Sequence, residues 1–579
     1  MQKINFKNLH IIKLLAALLA GFSVSAYAAP DAGTLQQQID RERNITLPKK
    51  STPTEVAPQP IKSIDGQTIT VKAFVFNGNT LLSNEQLALV VAHYLDRPLT
   101  FTELQQAAAS IATAYREAGW VVRAYLPEQD VNDGNITIQI VEAVFGGVKL
   151  EGTPPARFKE DKLLSIINSA QSQGQALDAN KLDRALLILD DMPGVAVSGS
   201  LQKGEADNAT DLILKTADEP LINGEVTTDN SGSRSTGSER INGNFYLNSP
   251  LGFGDQATAN VIHSQGNDYG RLGYTMPVGN NGLRIGASGS YLSYDLVSDN
   301  FKGLNAKGTS SNLGLEANYP LIRSRMKNLY IGLNVDRKNF DNEASLATTT
   351  HYAVNDVSLS LNGNLFDKLG GGGANAAGIT LTRGDMRLGA LNPSEDASLE
   401  GGFTKLNYHF SRQQAITDSL SFYGAVSGQA ASTNLDSSEK FYLGGANGIR
   451  AYPTSEGGGA DGQMLNLELR SRLPNNFNLT GFYDLGHVKV NHNNDALLDP
   501  NNITLKGAGV TLAWQSSFGL NLKATWAHRI GNNPNPTSTG KDQDGTLQQN
   551  RIWLNAAMTF WWRRFNADDL KHKSIQNAK

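Results

Sequence analysis

A glycine-rich segment with one charge near its end is the part of the sequence best suited to a functional role. Residues 441–453 read FYLGGANGIRAYP, and Arg450 is the only charged residue among them. Three glycines disfavour a helix and the closing proline ends a strand, so the segment is predicted to be a shaped loop. A guanidinium at a loop tip is suited to a bidentate ion pair with a carboxylate. Taken alone, the loop also fits an ordinary exposed connection.

Asp484 is the carboxylate that a neighbouring strand offers to this arginine. The strand predicted over residues 479–488 carries its apolar side chains at odd positions, which turns Asp484 and Gly486 to the other face. We predict that Arg450 pairs with Asp484 and that Gly486 leaves room for the folded-back loop. The alternative is that Asp484 is one of many hydrated charges, and surrounding water is expected to soften the loss of its partner.

The composition describes a large β protein without cysteine chemistry. The chain has 579 residues, 57 glycines, a net charge of -4 and no cysteine. Disulfides, thiolate zinc sites and cysteine nucleophiles are therefore excluded. With so small a net charge, no polyanion partner such as nucleic acid is implied.

Residues 1–28 have the pattern of an export signal. Three lysines precede an apolar run over residues 14–24, and Ala-Tyr-Ala at 26–28 is a small-x-small cleavage site. An uncleaved anchor helix is the alternative, but the run is shorter than the roughly 20 residues that a spanning helix needs. Because no later apolar run approaches that length, a membrane-embedded mature chain must cross with strands.

Residues 29–44 are a candidate polar helix. Asp31 or Thr34 is suited to cap it, and Leu35 and Ile39 fall on one side. A short polar helix of this kind fits either a plug on a flexible tether or a solvated tail.

Two copies of one small α+β domain are predicted over residues 68–143 and 144–218, after a proline-marked linker over residues 45–67. Each copy reads strand, helix, helix, strand, strand, and a matched order that recurs after about 75 residues indicates duplication. A free edge of such a sheet can receive an extended peptide as an added strand, and a rigid spacer is the alternative.

Residues 223–565 carry the pattern of a β-barrel. Stretches such as 329–336 and 357–365 alternate apolar and polar side chains, as in a membrane barrel or a soluble sandwich. Strands of about 10 to 15 residues, and short turns that alternate with long polar loops, favour the barrel. Counting hairpins gives about sixteen strands, an even number that pairs every edge and encloses an aqueous lumen. A polar tail, residues 566–579, follows.

The loop connects two of these strands. Its span, residues 431–462, is the longest connection in the predicted barrel. In the strand that follows it, alternation turns Glu468 and Arg470 toward the lumen, as it does Asp484.

At this point the sequence resembles the two-partner secretion transporters, outer-membrane barrels of the haemolysin-activator type. The resemblance rests on Leu443-Gly-Gly-Ala-Asn-Gly-Ile-Arg-Ala-Tyr452, on Phe482-Tyr-Asp-Leu-Gly486, and on the order of helix, linker, two α+β units and barrel. Ala451 departs from the glycine that many members have. The polar tail departs from their common ending at the terminal aromatic of the barrel.

The resemblance implies a transmembrane β-barrel of about 16 antiparallel strands, preceded by a plug-like helix and two α+β POTRA domains. It implies a monomer in the outer membrane of a Gram-negative cell, with the POTRA domains in the periplasm. Such a protein exports a haemolysin- or adhesin-like exoprotein (type V secretion) without ATP, metal or other cofactor, and without nucleic acid. The site residues it implies are Leu443, Gly444, Gly445, Gly448, Ile449, Arg450, Tyr452 and Pro453 in the loop and Asp484 and Gly486 in the barrel wall.

Other functions have weaker support. The chain has no G-x-S-x-G and no H-E-x-x-H motif, so an enzyme is not indicated. The sequence Asp542-Gln-Asp544-Gly545 resembles part of a calcium loop but lacks the rest of an EF-hand. An outer-membrane insertase of the same superfamily is the main alternative, and a passive porin would need neither the α+β units nor this loop.

Overall fold

The computed structural model describes residues 30–43, 68–131, 133–299, 302–345, 347–389, 398–495, 498–537 and 539–562. The predicted signal peptide, linker and polar tail lie outside the described residues, as do residues 563–565 at the end of the predicted barrel. None of the described helices is long and apolar enough to span a membrane.

The first α+β unit is a three-stranded sheet covered by two helices. Its central strand pairs in parallel with one neighbour and antiparallel with the other. Each helix begins with a capping box, formed by Ser83 with Gln86 and by Thr100 with Glu103. The elements are β1 (Thr68–Thr70), β2 (Ala73–Asn77), α2 (Asn84–Val91), β3 (Pro98–Thr100), α3 (Phe101–Glu117), β4 (Val122–Tyr125) and β5 (Asn135–Glu142), after an N-terminal helix α1 (Ala32–Arg43).

The second unit repeats this arrangement. Its central strand β8 again pairs in parallel with the first strand and antiparallel with the other. Leu163, Ile166 and Ile167 of its first helix are buried against the sheet, as the helical spacing of apolar residues requires. The elements are β6 (Val144–Glu151), α4 (Glu160–Ala170), α5 (Ala179–Asp190), β7 (Val195–Lys203) and β8 (Ala209–Asp218).

Among the described residues, sixteen antiparallel strands close into one barrel. The first and last strands pair from Ile222 with Trp562 to Asp229 with Asn555, so no edge is left open. The strands are β9 (Ile222–Asp229), β10 (Arg240–Asn248), β11 (Gln256–Ser264), β12 (Asn267–Val278), β13 (Leu283–Asp295), β14 (Lys307–Arg323), β15 (Lys327–Ala344), β16 (Ala347–Asp367), β17 (Gly373–Leu388), β18 (Gly401–Ala415), β19 (Leu420–Ala431), β22 (Asp461–Arg472), β23 (Phe477–Lys489), β24 (Asn502–Gln515), β25 (Leu520–Arg529) and β26 (Asn550–Trp562). Two short strands, β20 (Phe441–Tyr442) and β21 (Gly458–Gly459), belong to the connection between β19 and β22.

The strands vary more in length than the sequence pattern indicates. They run from 8 residues in β9 to 21 in β16. A tilted membrane strand needs about 9 to 11 residues, so the longest strands extend beyond a bilayer. The long connections, among them residues 530–549, lie at the end of the barrel away from the two α+β units, which we call the far end.

The outer wall of the barrel is apolar. Leu333, Leu359, Leu381 and Leu406 lie side by side on four consecutive strands, and each is 39 to 50% exposed. A continuous row of exposed leucines is unfavourable in water but suits the acyl chains of a bilayer. The alternation that exposes these residues turns the polar side chains of the same strands into the lumen.

Ion pairs attach the second unit to the short turns of the barrel. Arg323 Nε lies 2.6 Å from Asp191 Oδ2, and Arg325 Nη2 lies 2.8 Å from Asp183 Oδ1. Lys162 Nζ donates a 2.7 Å hydrogen bond to the carbonyl oxygen of Gly279. These contacts fix the unit against the near end of the barrel.

We expect Leu359→Arg to reduce the amount of folded barrel in the membrane. A charge on the lipid face near mid-span destabilises a barrel by about 2 to 4 kcal/mol. Folded and unfolded protein can be separated by the heat-dependent mobility of the barrel in gel electrophoresis.

Asn362→Arg on the same strand is the matched control, because its side chain points into the lumen, against Gly378 of the next strand. Equal folding of the two variants would show that the row of leucines does not contact lipid.

Candidate functional site

The connection between β19 and β22, residues 432–460, folds back into the barrel. Its two short strands, β20 and β21, pair with each other and close a hairpin over the segment between them. Leu443, Ile449, Ala451 and Tyr452 are fully buried, in a cluster with inward-facing apolar residues of β22 to β25. We call residues 432–460 the lumen loop.

Glycines allow the tip of the lumen loop to turn tightly. Gly445 has a φ of +114°, which side-chain-bearing residues rarely adopt. A Cβ atom on Gly448 would overlap the carbonyl oxygen of Leu443, and one on Gly444 would overlap that of Pro453. The amide of Ile449 closes the turn with a 2.8 Å hydrogen bond to Leu443.

Arg450 is held by two carboxylates of the barrel wall. Its Nη2 and Nε donate to Asp484 Oδ1 and Oδ2 at 2.7 and 2.9 Å, and its backbone amide also donates to Oδ2 at 3.1 Å. Its Nη1 lies 2.8 Å from Glu468 Oε1. The structure therefore brings together the arginine and aspartate that the sequence predicts to pair, and adds Glu468, which alternation had already turned inward.

Two further wall residues complete this contact. Asn466 Nδ2 donates to Asp484 Oδ1 at 2.8 Å. The ring of Phe482 lies beneath the guanidinium, with Arg450 Cζ 3.5 Å from the ring centroid, a cation–π arrangement. Sequence reasoning missed both roles. The inward parity of positions 466 and 482 in their strands was the available signal.

The expected hydration of this ion pair is wrong. The Asp484 side chain has no exposed surface, and that of Arg450 is 11% exposed. Leu443 and Ile449 of the loop pack on the wall beside the pair and exclude solvent. They fit there because position 486 is glycine, where a Cβ atom would lie 2.6 Å from Leu443 Cδ2. Gly486 thus accommodates the apolar tip of the loop and not the arginine itself.

Ala451, which stands where many members of the family have glycine, packs against a glycine of the barrel wall, Gly507. A Cβ atom on Gly507 would lie 2.6 Å from the Cβ of Ala451, which is fully buried. The loop therefore accepts alanine at this position without a positive φ angle.

The lumen loop is also tied to the last two strands of the barrel. Trp553 of β26 donates its indole Nε1–H to the carbonyl oxygen of Arg450 at 2.7 Å. The ring of Tyr452 lies 4.3 Å from the guanidinium carbon of Arg529, measured from its centroid. Arg450 and its neighbours thus join strands β22 and β23 to the strands that close the barrel.

The two aspartates that hint at a calcium loop bind arginines. Asp542 pairs with Arg529, and both side chains are buried. Asp544 Oδ2 lies 2.9 Å from Arg551 Nη2. These contacts fasten the connection over residues 530–549 to β25 and β26.

Helix α1 lies within the barrel near its far end. Asp31 caps it by accepting a 2.8 Å hydrogen bond from the amide of Thr34. Leu35 and Ile39 are buried in an apolar cluster with inward-facing residues of β12 to β18. Glu42 near its end pairs with Arg240 of β10 at 2.8 Å.

The helix and the lumen loop contact each other directly. Arg41 donates to the carbonyl oxygens of Tyr442 and Asn447, at 2.5 and 3.4 Å. At the other end of the helix, the Ser437 hydroxyl donates to the Asp31 carboxylate at 2.8 Å. The two elements therefore fill the far part of the lumen as one packed assembly.

An acidic residue of the lumen loop, Asp436, faces the start of the helix. Burial and the nearby charge of Asp31 raise the pKa of Asp436 to about 6. The Tyr352 hydroxyl donates to the Asp436 carboxylate at 3.0 Å, and the charge of Lys440 also acts on this group. The seating of the helix is therefore linked to proton binding.

Comparison with known proteins gives a consistent result. Residues 208–514 match the family described as haemolysin secretion/activation protein ShlB/FhaC/HecB, and residues 69–143 match the POTRA domain of the ShlB type. The heme/hemopexin transporter protein HuxB of Haemophilus influenzae (strain 86-028NP) is 24% identical, over 94% of this chain and 98% of its own length. The outer membrane transporter CdiB of Dickeya dadantii (strain 3937) is 25% identical, over 89% and 92%. The structure of CdiB from Escherichia coli has 20% identity and a TM-score of 0.69, over 92% of this chain and 100% of that chain.

We expect Arg450→Lys to loosen the lumen loop and Arg450→Ala to loosen it further. Lysine keeps the charge but not the two parallel bonds to Asp484. Alanine leaves a buried carboxylate unpaired, which costs about 3 to 5 kcal/mol. Because the chain has no cysteine, Ser455→Cys in the buried loop provides a unique site, and its rate of maleimide labelling measures loop release.

Arg412→Lys is the control, since Arg412 forms a bidentate pair with Asp367 on the barrel wall away from the loop. A similar change in labelling for Arg412→Lys and Arg450→Lys would contradict a specific role of Arg450.

The docking of α1 is expected to weaken as the pH rises. The docked state raises the pKa of Asp436, so it binds more protons than the undocked state. Docking is therefore strongest below a pH of about 4, where Asp436 is protonated in both states, and it weakens progressively as the pH increases through about 6. Ion conductance of the purified protein in planar bilayers should increase several-fold between pH 5 and 7.5.

Asp436→Asn removes the titrating group and should keep conductance low at both pH values. An unchanged pH response in this variant would assign the effect to another group.

Proposed function

Because this chain belongs to the haemolysin secretion/activation protein family ShlB/FhaC/HecB, we propose a division of roles among its units, its helix and its lumen loop. The chain is an outer-membrane transporter of two-partner secretion, and its POTRA region lies in the periplasm. Its relatives are transporters, and no enzymatic step is needed for the roles proposed. The protein acts as a monomer, because one chain closes the barrel.

The POTRA domains receive the exoprotein. Each sheet has outer strands with unpaired backbone groups, and residues 198–203 of β7 are exposed throughout. An unfolded, β-rich chain of the haemolysin or adhesin class can add to such an edge as a further strand. Its attachment here brings it to the near end of the barrel, where ion pairs hold the second unit.

The lumen loop and α1 hold the transporter in its resting state. Both occupy the lumen, so a polypeptide can pass only after they move. The observation that carries this proposal is the buried contact of Arg450 with Asp484 and Glu468. It fixes the loop tip to the wall, because an unpaired charge in this buried place is strongly unfavourable. Arg450 acts as a structural latch and not as a catalyst.

Export does not require ATP at the barrel. The periplasm holds none, and the sequence lacks a G-x-x-x-x-G-K phosphate loop. Binding of the exoprotein to the POTRA domains supplies free energy for release of the loop and the helix. Folding of the exoprotein outside the cell then makes its return unfavourable.

The test is secretion in the native host. The gene is deleted, and the strain is complemented with the wild-type protein, Arg450→Ala or the control Arg412→Ala. Proteins of the medium and the cell surface are then compared by mass spectrometry. We expect one large exoprotein to disappear on deletion and to return with wild type and Arg412→Ala but not with Arg450→Ala, at equal barrel levels.

Other outcomes would favour the alternatives. A joint decrease of many outer-membrane proteins would indicate an insertase, and a change only in the uptake of small solutes would indicate a porin. Normal secretion with Arg450→Ala would contradict the latch.

A further inference from the structure

A buried glutamate anchors the first half of the lumen loop to a different part of the wall. Glu439 Oε1 lies 2.8 Å from Lys338 Nζ of β15, and Oε2 lies 2.6 Å from Lys405 Nζ of β18. The Glu439 side chain is 2% exposed. Lys338 also lies 3.0 Å from Asp356 of β16, and the charge of Asp40 of α1 acts on it as well.

The backbone around Glu439 is fixed as well. Residues Ser437–Glu439 form a 3₁₀ turn that begins at Asp436, whose side chain accepts a 2.9 Å hydrogen bond from the amide of Ser438. The carbonyl oxygen of Glu439 accepts bonds from Lys405 Nζ at 3.1 Å and from Gln429 Nε2 at 3.0 Å. The carboxylate is thus presented to the lysines by a constrained turn.

The electrostatics favour this arrangement only while the loop is in place. Burial opposes ionisation of Glu439, but the two lysines outweigh it and hold the pKa of the carboxyl below its usual value. Withdrawal of the loop removes Glu439 from both lysines and leaves Lys338 with Asp356 and with the charge of Asp40 of α1. Loss of Glu439 while the rest of the site stays buried is strongly unfavourable for the charges that remain.

We infer that Glu439 is a second positioning residue of the lumen loop. It holds the loop to β15 and β18, as Arg450 holds the loop to β22 and β23. The loop contributes an anion at one contact and a cation at the other. Glu439 cannot bind the carboxylates that hold Arg450, and Arg450 cannot bind the lysines that hold Glu439. The two contacts together therefore define a single position of the loop. Release for transport requires both to break.

This inference rests on the proposed role of the lumen loop in transport, so its test measures loop position and export separately. Ser438→Cys, next to Glu439, provides a unique cysteine in a side chain that is 3% exposed. Its maleimide labelling is compared in folded barrels that carry Glu439→Gln, Glu439→Lys or the charge exchange Glu439→Lys with Lys405→Glu. Secretion is measured for the same variants without the cysteine.

The matched control is Glu343→Gln. Glu343 also pairs with a lysine of the barrel, Lys307 at 3.4 Å, but both side chains are more than half exposed. Such a pair contributes little to stability.

We expect Glu439→Gln to raise the labelling rate at least tenfold and to reduce secretion, with a larger effect for Glu439→Lys, partial recovery in the charge exchange, and no change for Glu343→Gln. Labelling within twofold of wild type for Glu439→Gln would overturn the inference. Faster labelling with normal secretion would also overturn it, because the clamp would not serve transport.

The Arg450→Ala strain distinguishes the two proposals. If Arg450→Ala stops secretion while Glu439→Gln leaves loop and secretion unchanged, only the second clamp is rejected. If both strains secrete normally, the role of the loop itself fails.

Discussion

A buried ion pair is the constraint around which the barrel interior is arranged. Asp484 is fully buried and would be costly as a free carboxylate, yet it is bound by Arg450 through two side-chain bonds and one backbone bond. Its remaining capacity is taken up by Asn466. The barrel is wide enough to hold water, so the pair is buried only because the loop fills the space around it. This explains why the loop tip is apolar and why position 486 is a glycine.

The same strand alternation serves both surfaces of the barrel. Residues such as Leu359 and Leu381 face outward and form an apolar wall, while the intervening positions of the sheet present charges to the lumen. A one-residue slip of register would exchange the two sets, placing charges in lipid and leucines in the lumen. The ionic contacts of the loop therefore depend on the registers of β15, β18, β22 and β23, and closure of the whole barrel fixes those registers.

The sequence predicts what depends on local pattern. Period-two alternation yields the barrel, its sixteen strands and the inward faces of Glu468 and Asp484, and Asp31 is one of the two residues expected to cap α1. It does not yield contacts set by closure, such as the bond from Trp553 to Arg450 across 103 positions of the chain. The dryness of the Arg450 contact was missed for a related reason, since burial there is produced by the loop and the wall together. Glu439 lies outside the quoted motif, and nothing in its neighbours reveals that two lysines from different strands meet it.

The number of contacts on the loop bears on how transport can be driven. Arg450, Glu439 and Trp553 attach it to separate groups of strands, and Arg41 attaches it to the helix. Contacts that share one rigid element break cooperatively, so the loop has few intermediate positions in which a charge is partly bound. In the proposed mechanism, which uses no nucleotide, the free energy for opening comes from the difference in affinity of the exoprotein for the open and resting states. On this proposal, a tightly held loop makes opening depend on the bound partner, because the open state is rarely populated without it.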